Sequence, residues 1–232
     1  MTIGAVADIH GNFDALGRAM DRHPDVPAWI CVGDVASLSG AYPAPARPLF
    51  WIKGNNEDFE RIAAWQAGEP APPNLHFIAN GSAVDVGPVR VAGLGGTFAP
   101  KWFDTAAADL PGARRAAPVA KRDDKRRHFV REEVEACKRL GRVDILMTHE
   151  APRPFILAGE PAGGTARRRL DAGKPAINDL LAALQPRLHL CGHHHRFSDT
   201  IREGVRSICI DRINRSYLLL DASTLEYTRI EQ

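Results

Sequence analysis

Ile3-Gly4-Ala5-Val6-Ala7-Asp8-Ile9-His10-Gly11-Asn12 is an apolar run that ends in an acid, an imidazole and a turn. Residues 3–9 read as a buried strand. Gly11-Asn12 turns the chain, and Asn12 suits the cap of a helix. Phe13, Leu16 and Met20 then recur at helical spacing, ending near His23-Pro24. Strand, polar stop and helix form the repeating unit of an α/β fold, and such folds collect ligands at the carboxyl edge of their strands. The same pattern returns downstream. Residues 29–32 stop at Gly33-Asp34, and residues 49–52 stop at Gly54-Asn55-Asn56-Glu57. Residues 143–147 stop at Thr148-His149-Glu150, and residues 188–190 run into Gly192-His193-His194-His195.

Between these units the texture varies. Residues 57–67 read as a helix. Residues 75–78, 82–86 and 89–92 are short β-type pieces separated by Asn80-Gly81 and Gly87-Pro88, the signals of an antiparallel meander. Residues 100–128 have weak periodicity and read as a surface excursion. Val130, Val134, Cys137 and Leu140 share one helical face. Residues 152–174 read as a long loop, a feature that is often functional in compact domains. Ile177, Leu180, Leu181 and Leu184 define a helix with Pro175 near its start. Residues 197–230 read as two or three strands, with Glu203-Gly204 as a hairpin turn. The expected architecture is one domain over residues 1–232, with mixed sheets packed face to face and helices outside.

A chain of 232 residues with a formal net charge of +2 has room for a sizeable core and no global attraction to polyanions. Its apolar and charged fractions are those of ordinary globular proteins. Cys31, Cys137, Cys191 and Cys209 form no CxxC pair and read as reduced thiols. The N-terminus enters a strand directly, without the basic and apolar regions of a secretory leader. No apolar run approaches the roughly 18 residues that suggest a membrane span. A cytoplasmic location and no membrane partner are therefore expected.

The strand ends carry the chemistry. Asp8 and His10 are two residues apart, so strand alternation would project both to one side. His193 and His195 repeat that spacing. His194 would point away, to a supporting or surface role. Cys191 reads as a small buried hydrophobe, and Glu57 as support for a first helical turn. Taken singly, an Asp or His at a strand end is more often a satisfied polar group than a ligand. The ordered set reads as a metal site. Carboxylates, imidazoles and an amide oxygen together suit Mn, Fe, Zn, Co or Ni better than Ca or Mg.

Asp8-Ile9-His10-Gly11-Asn12, Gly33-Asp34, Gly54-Asn55, Thr148-His149 and Gly192-His193-His194-His195 resemble, in order, the motifs of the calcineurin-like metallophosphoesterase superfamily. The resemblance implies a four-layer α/β/β/α sandwich with two divalent transition metal ions (Mn, Fe or Zn) between the strand edges. It implies that Asp8, His10 and His195 hold one ion, that Asn55, His149 and His193 hold the other, and that Asp34 bridges. It also implies phosphoester hydrolysis by in-line attack of a metal-bridging hydroxide, with both ions stabilising the attacking and leaving oxygens. The pieces around His149-Glu150-Ala151-Pro152 and residues 177–195 are loosely similar to the lariat-debranching side of the superfamily, which points toward a phosphodiesterase.

The chain departs from the family at Asn56, where a His is usual. A His there would be a plausible general acid. An amide has no proton that titrates near neutrality, so the expected role of Asn56 is to orient substrate by hydrogen bonding. His194 and His76 are the candidates to replace the missing acid. Three readings stay open: a dinuclear phosphodiesterase, a catalytically weak homologue that binds a phosphorylated ligand, and a phosphomonoesterase or phosphoprotein phosphatase.

Two basic stretches bear on the substrate. Residues 114–142 carry eleven Lys and Arg against five Asp and Glu. They could grip a nucleotide or nucleic-acid backbone, or form a solvated helix with partly compensating acids. Arg167-Arg168-Arg169 could face the metals and bind phosphate through bidentate guanidinium contacts. No interleaved aromatics suggest single-strand stacking.

Overall fold

The computed structural model describes residues 1–113, 123–157 and 170–232. In chain order the first half contains β1 (Thr2–Val6), α1 (Phe13–Arg22), β2 (Ala28–Cys31), β3 (Leu49–Trp51), α2 (Phe59–Gln66), β4 (Leu75–Phe77), β5 (Ser82–Val86), β6 (Val89–Leu94) and β7 (Thr97–Phe98). The second half contains β8 (His128–Phe129), α3 (Arg131–Lys138), β9 (Ile145–Thr148), β10 (Ile156–Leu157), β11 (Leu170–Asp171), α4 (Pro175–Leu184), β12 (Leu188–Cys191), β13 (Ser198–Arg202), β14 (Val205–Cys209), β15 (Ser216–Asp221) and β16 (Tyr227–Glu231).

Two six-stranded mixed sheets carry the fold, one ordered β16-β15-β1-β2-β3-β4 and the other β13-β14-β12-β9-β6-β5. Strands β1 to β4 are parallel, with β15 antiparallel to β1. In the second sheet β6, β9, β12 and β14 are parallel.

Alternation along the strands builds the layers. Ile3, Ala5, Ile30 and Ile52 turn inward and meet Val91, Ile145, Met147, Leu190 and Ile208 of the second sheet. Val6, Trp29, Leu49 and Trp51 turn outward under Leu16, Met20, Phe59 and Ile62 of α1 and α2. Ala92, Leu94 and Leu146 do the same beneath Val134, Ile177, Leu180 and Leu181 of α3 and α4. The result is the expected four-layer α/β/β/α sandwich. Gly4 pairs in register with Trp29. A Cβ on Gly4 would lie 2.1 Å from the Trp29 ring, so the indole lies across a position that only glycine leaves open.

The structure corrects three expectations. Residues 75–94 are not one meander: β4 joins the first sheet parallel to β3, and only β5 and β6 form the hairpin, in the second sheet. Asn80 explains the switch, because its side chain bonds both the N–H and the carbonyl of Gly95 and ties the crossover to the far end of β6. The stretch after residue 197 holds four strands, two in each sheet. The 152–174 loop includes an antiparallel pair, β10 with β11.

The described flanks of the 100–128 stretch lie over both outer layers, Arg126 reaching Glu60 of α2 and Phe103 packing with the second sheet's helix layer. Leu110 is buried, and the Phe103 ring stands edge-on to Phe98 and Phe129. Among the described residues, no helix is long and apolar enough to cross a membrane.

Candidate metal centre

Parallel β1, β2 and β3 of one sheet and β9 and β12 of the other end on one edge, where their polar stops converge. The side chains reach that point through backbone conformations that the sequence did not reveal. The strands end at Val6 and Cys31, and Asp8 (φ 49°), His10 (48°) and Asp34 (56°) follow in the left-handed region. His193 (67°) and His195 (50°) do the same beyond β12. Left-handed non-glycine residues carry local strain and cluster at functional sites. The expectation that strand alternation would aim Asp8 with His10 and His193 with His195 is therefore replaced by successive left-handed turns.

Two groups of residues could each hold a metal ion: Asp8, His10 and His195, and Asp34, His149 and His193. Within each group the candidate ligand atoms lie within 4.8 Å of one another. In the first, His10 Nε2 is 3.0 Å from His195 Nε2, and Asp8 Oδ1 is 3.4 Å from His195 Nε2. Beside the second, Asn55 Oδ1 is 3.2 Å from His149 Nε2. Asp34 faces both, with Oδ1 3.6 Å from His149 Nε2 and Oδ2 3.6 Å from His10 Nε2.

The donor set fits cations. Asp8 Oδ2 accepts the His193 N–H at 2.9 Å, while Asp8 Oδ1 is buried with no hydrogen-bond partner. A buried, unpartnered carboxylate oxygen is costly unless a cation meets it. His149 Nδ1 sits 2.8 Å from the Val32 carbonyl, an acceptor, so Nδ1 carries a proton. His149 Nε2 then faces two further acceptors, Asn55 Oδ1 and Asp34 Oδ1, an arrangement that a cation between them or a second proton on the ring satisfies.

The electrostatics agree with these contacts. Burial alone would raise the Asp34 pKa, but His149, His10 and the Asn56 donors outweigh it and hold it below the usual carboxylate range. Burial pulls His149 down, yet Asp34 and Asp8 outweigh it and raise it. Burial, reinforced by His149, pushes His193 down to about 3, which keeps its ring neutral and able to donate a lone pair.

Asn56 lies against the shared carboxylate. Its backbone N–H donates to Asp34 Oδ1 and its side-chain amide to Oδ2, each at 2.7 Å. Glu57 does not support the next helix, which starts at Phe59 and is capped by Asp58 accepting the Arg61 N–H. Buried Glu57 instead accepts from Val35 N and Gly54 N on Oε1, and from Ala36 N and Tyr42 Oη on Oε2. One carboxylate thus joins the loop of Asp34 to the loop of Asn55. Burial and the nearby Asp34 charge raise its pKa to about 7 against the pull of those backbone donors. The Gly-Asn-x-Glu spelling was a signal for this residue but not for the loop it would clamp, 22 positions earlier.

Glu150 is a second carboxylate missed in sequence. It is buried, accepts the Phe98 N–H, and has Oε1 3.4 Å from Lys174 Nζ and 4.0 Å from His193 Nε2. His194 stacks on Phe155, with its Nε2 buried and unpartnered. His76 is exposed on β4 and stacks on Phe50. Cys191 is buried beside Ala151 and Cys209, as expected of a small hydrophobe.

Arg167, Arg168 and Arg169 lie outside the described residues, as do Arg114, Arg115, Lys121 and Arg122 of the basic segment 114–142. In the described part of that segment, Arg126 pairs with Asp124 and Glu60, Arg131 with Asp104, and Lys138 with Glu135. Of these pairs Lys138–Glu135 lies within α3, while Glu60 and Asp104 come from outside the segment.

The calcineurin-like phosphoesterase family profile matches residues 1–197. The lariat debranching enzyme of Schizosaccharomyces pombe is 27% identical over 200 residues, covering 81% of this chain and 42% of that protein. The enzyme of the same name from Drosophila melanogaster is 28% identical over 167 residues, covering 68% of this chain and 30% of that protein. This chain therefore spans less than half the length of either relative. Among solved structures, the Thermus thermophilus protein TT1561 superposes with a TM-score of 0.61 at 16% identity, covering 99% of this chain and 98% of that one. An archaeal phosphodiesterase superposes with a TM-score of 0.51 at 13% identity over the whole of both chains. With the motifs in order, the sandwich in place and the profile spanning both groups of ligand-type residues, this chain belongs to the calcineurin-like phosphoesterase family.

Proposed function

We propose that this chain is a dinuclear metal-dependent phosphodiesterase. The observation that supports it most is the position of Asp34, a single carboxylate whose two oxygens face the two groups at 3.6 Å each. Asp8, His10 and His195 would hold one ion, Asn55, His149 and His193 the other, and Asp34 both. Divalent transition ions (Mn, Fe or Zn) bound there supply Lewis acidity toward phosphoryl oxygens and lower the pKa of water.

The chain's own residues set the rest. His193 stays neutral, and buried Asp34 stays ionised. Asn56 offers a hydrogen-bond donor beside Asp34 and no transferable proton, so it orients oxygen atoms rather than protonating a leaving group. Hydrolysis is therefore best for esters whose leaving group departs without a proton. The likeness to lariat debranching enzymes favours a diester within a nucleotide or nucleic acid as substrate. The four buried free thiols suit a reducing, cytoplasmic setting.

The test is turnover of bis(p-nitrophenyl) phosphate by the Mn-loaded chain, with Asp34→Ala and His193→Ala alongside. Activity should require Mn and vanish in both variants; full metal-dependent turnover in both sinks the reading. One observation favours a second reading. The Asn56 amide occupies Asp34 Oδ2 at 2.7 Å, an oxygen that a shared ion would claim. A chain that binds phosphorylated ligands but turns over neither aryl diesters nor aryl monoesters would fit that second reading.

A further inference from the structure

Strand β14 runs parallel to β12, so the two end on the same edge, beside the metal centre. The loop that follows is pinned at both sides. Ile210 donates its N–H to the Cys191 carbonyl at 2.8 Å, two residues before His193. Ile213 donates its N–H to the Ala7 carbonyl at 3.0 Å, one residue before Asp8. Both isoleucines are fully buried. Arg212 sits between them with its backbone committed: its N–H donates to Asp211 Oδ1, and its carbonyl accepts from Arg215 and Ser216.

Its guanidinium is different. The side chain is exposed and makes no hydrogen bond or ion pair among the described residues. From β14 onward the other arginines are paired, Arg206 with Asp199 and Glu226, Arg215 with Asp211 and Arg229 with Glu231. The nearest carboxylate in sequence, Asp211, is taken up by Arg215 at 3.6 Å.

A rigid loop, bonded to Ala7 one residue before Asp8, thus holds a free, always-charged residue at the Asp8 end of the site. Guanidinium matches phosphate oxygens in two parallel hydrogen bonds. We propose that Arg212 binds a phosphate oxyanion of the substrate on that side, and so acts as a substrate-binding residue lying outside the region the family profile covers. This rests on the phosphodiesterase reading only for the identity of the anion. Two sources share the chemistry: the scissile phosphate, or an adjoining phosphate of a longer nucleic-acid strand.

The experiment uses the full chain loaded with Mn, and compares Arg212→Ala and Arg212→Lys with the parent. Inorganic phosphate binding, measured by calorimetry, should weaken about tenfold in Arg212→Ala, the size expected of a charge-assisted contact. Arg212→Lys should recover part of it. Calorimetric Mn affinity and the thermal midpoint should stay at parent values. With thymidine 5′-p-nitrophenyl phosphate and a trinucleotide as substrates, KM should rise about tenfold with kcat nearly unchanged. A rise with both assigns Arg212 to the scissile phosphate, and a rise with the trinucleotide alone assigns it to the adjoining one. In the latter case inorganic phosphate is replaced as probe by the non-hydrolysable phosphorothioate trinucleotide.

Unchanged affinity for both probes and unchanged KM would overturn the proposal, as would loss of Mn binding in Arg212→Ala. Arg212-dependent binding in a chain without turnover would keep this proposal and reject the phosphodiesterase reading.

Discussion

Asn56 and Asp34 are joined twice, backbone N–H to Oδ1 and side-chain amide to Oδ2, both at 2.7 Å. The residue that departs from the family motif is thus fixed on the carboxylate that faces both groups of ligand-type residues. Its backbone bond does not depend on which side chain it carries, so a substitution at residue 56 changes one donor and leaves the other. The chemical consequence can be isolated for that reason.

Replacing Asn56 by His puts a group that titrates near neutrality where an amide now stands. General acid catalysis is worth about 10²–10⁴-fold in tuned enzymes, and an untuned His should supply about tenfold of it. The gain should fall on alkyl diesters and be small on aryl diesters, whose leaving groups depart unaided. The ratio of the two rates, measured in parent and Asn56→His with Mn, reads this directly. An unchanged ratio means that leaving-group protonation is not what the chain lacks.

Gly54 predicts a loss of a different kind. A Cβ there would sit 2.0 Å from Asp34 Oδ1 and 2.3 Å from Asp34 N, and the latter is backbone that cannot swing aside. Gly54→Ala should therefore displace the shared carboxylate and lower Mn affinity at least tenfold. Gly17 is the control. It lies in α1 with nothing within 4 Å of its Cβ position, and Gly17→Ala should gain about 0.5–1 kcal/mol from helix propensity. Calorimetric Mn titrations should show the loss in Gly54→Ala and parent affinity in Gly17→Ala, while the urea midpoint should rise only in Gly17→Ala.

The contrast between these residues shows what could be read in advance. Buried runs closed by a glycine and a polar residue marked the strands, and the polar residues at their ends marked the candidate ligands Asp8, Asp34, Asn55 and His149. Such a signal is local, because burial and turn chemistry are set within a few residues. Contacts made across the fold were not legible. The left-handed φ of Asp8, His10, His193 and His195 is imposed by two strand ends meeting, as in the bond from His193 N to Asp8 Oδ2. The move of the chain from β4 to β5 was hidden because parallel pairing of β4 with β3 leaves no mark on either segment. The place of Arg212 is set by the bond from Ile213 N to the Ala7 carbonyl, which joins residues some two hundred positions apart and leaves no local mark.

Glu57 illustrates the same limit and gives a third prediction. Its Oε1 accepts two backbone N–H groups, and its Oε2 accepts a backbone N–H and the Tyr42 hydroxyl. Glutamine has one acceptor oxygen, so in Glu57→Gln an NH2 group must face donors. Leaving buried donors unpaired costs about 1–3 kcal/mol. The thermal midpoint of the chelator-treated variant should fall, and Mn affinity should fall with it because the Asp34 and Asn55 loops separate. A midpoint that drops while Mn affinity holds would mean that Glu57 stabilises the fold without positioning the ligands.

His189 gives a prediction that does not involve the metal centre. It is fully buried between Ser207 Oγ at 2.7 Å and Thr148 Oγ1 at 2.8 Å. The Thr148 hydroxyl donates to the Glu150 carbonyl, so it accepts from His189 Nε2–H, and Nδ1 accepts from Ser207. The ring is neutral, and burial lowers its pKa to about 3. In the unfolded chain a histidine titrates near 6.5. Above that value both states are neutral, and the contribution of His189 to stability is complete. As pH falls from about 6.5 toward 3 only the unfolded chain takes up this proton, and stability is lost at a slope approaching ~1.4 kcal/mol per pH unit. His10, His128, His193 and His194 are also lowered and steepen the same limb. His189→Leu removes one proton's share and leaves theirs. Urea midpoints of chelator-treated parent and His189→Leu between pH 7.5 and 5 should therefore diverge least at pH 5. The variant starts lower, because Thr148 and Ser207 lose a partner, and declines less steeply. Parallel declines would show that His189 takes up its proton in the folded state within this range.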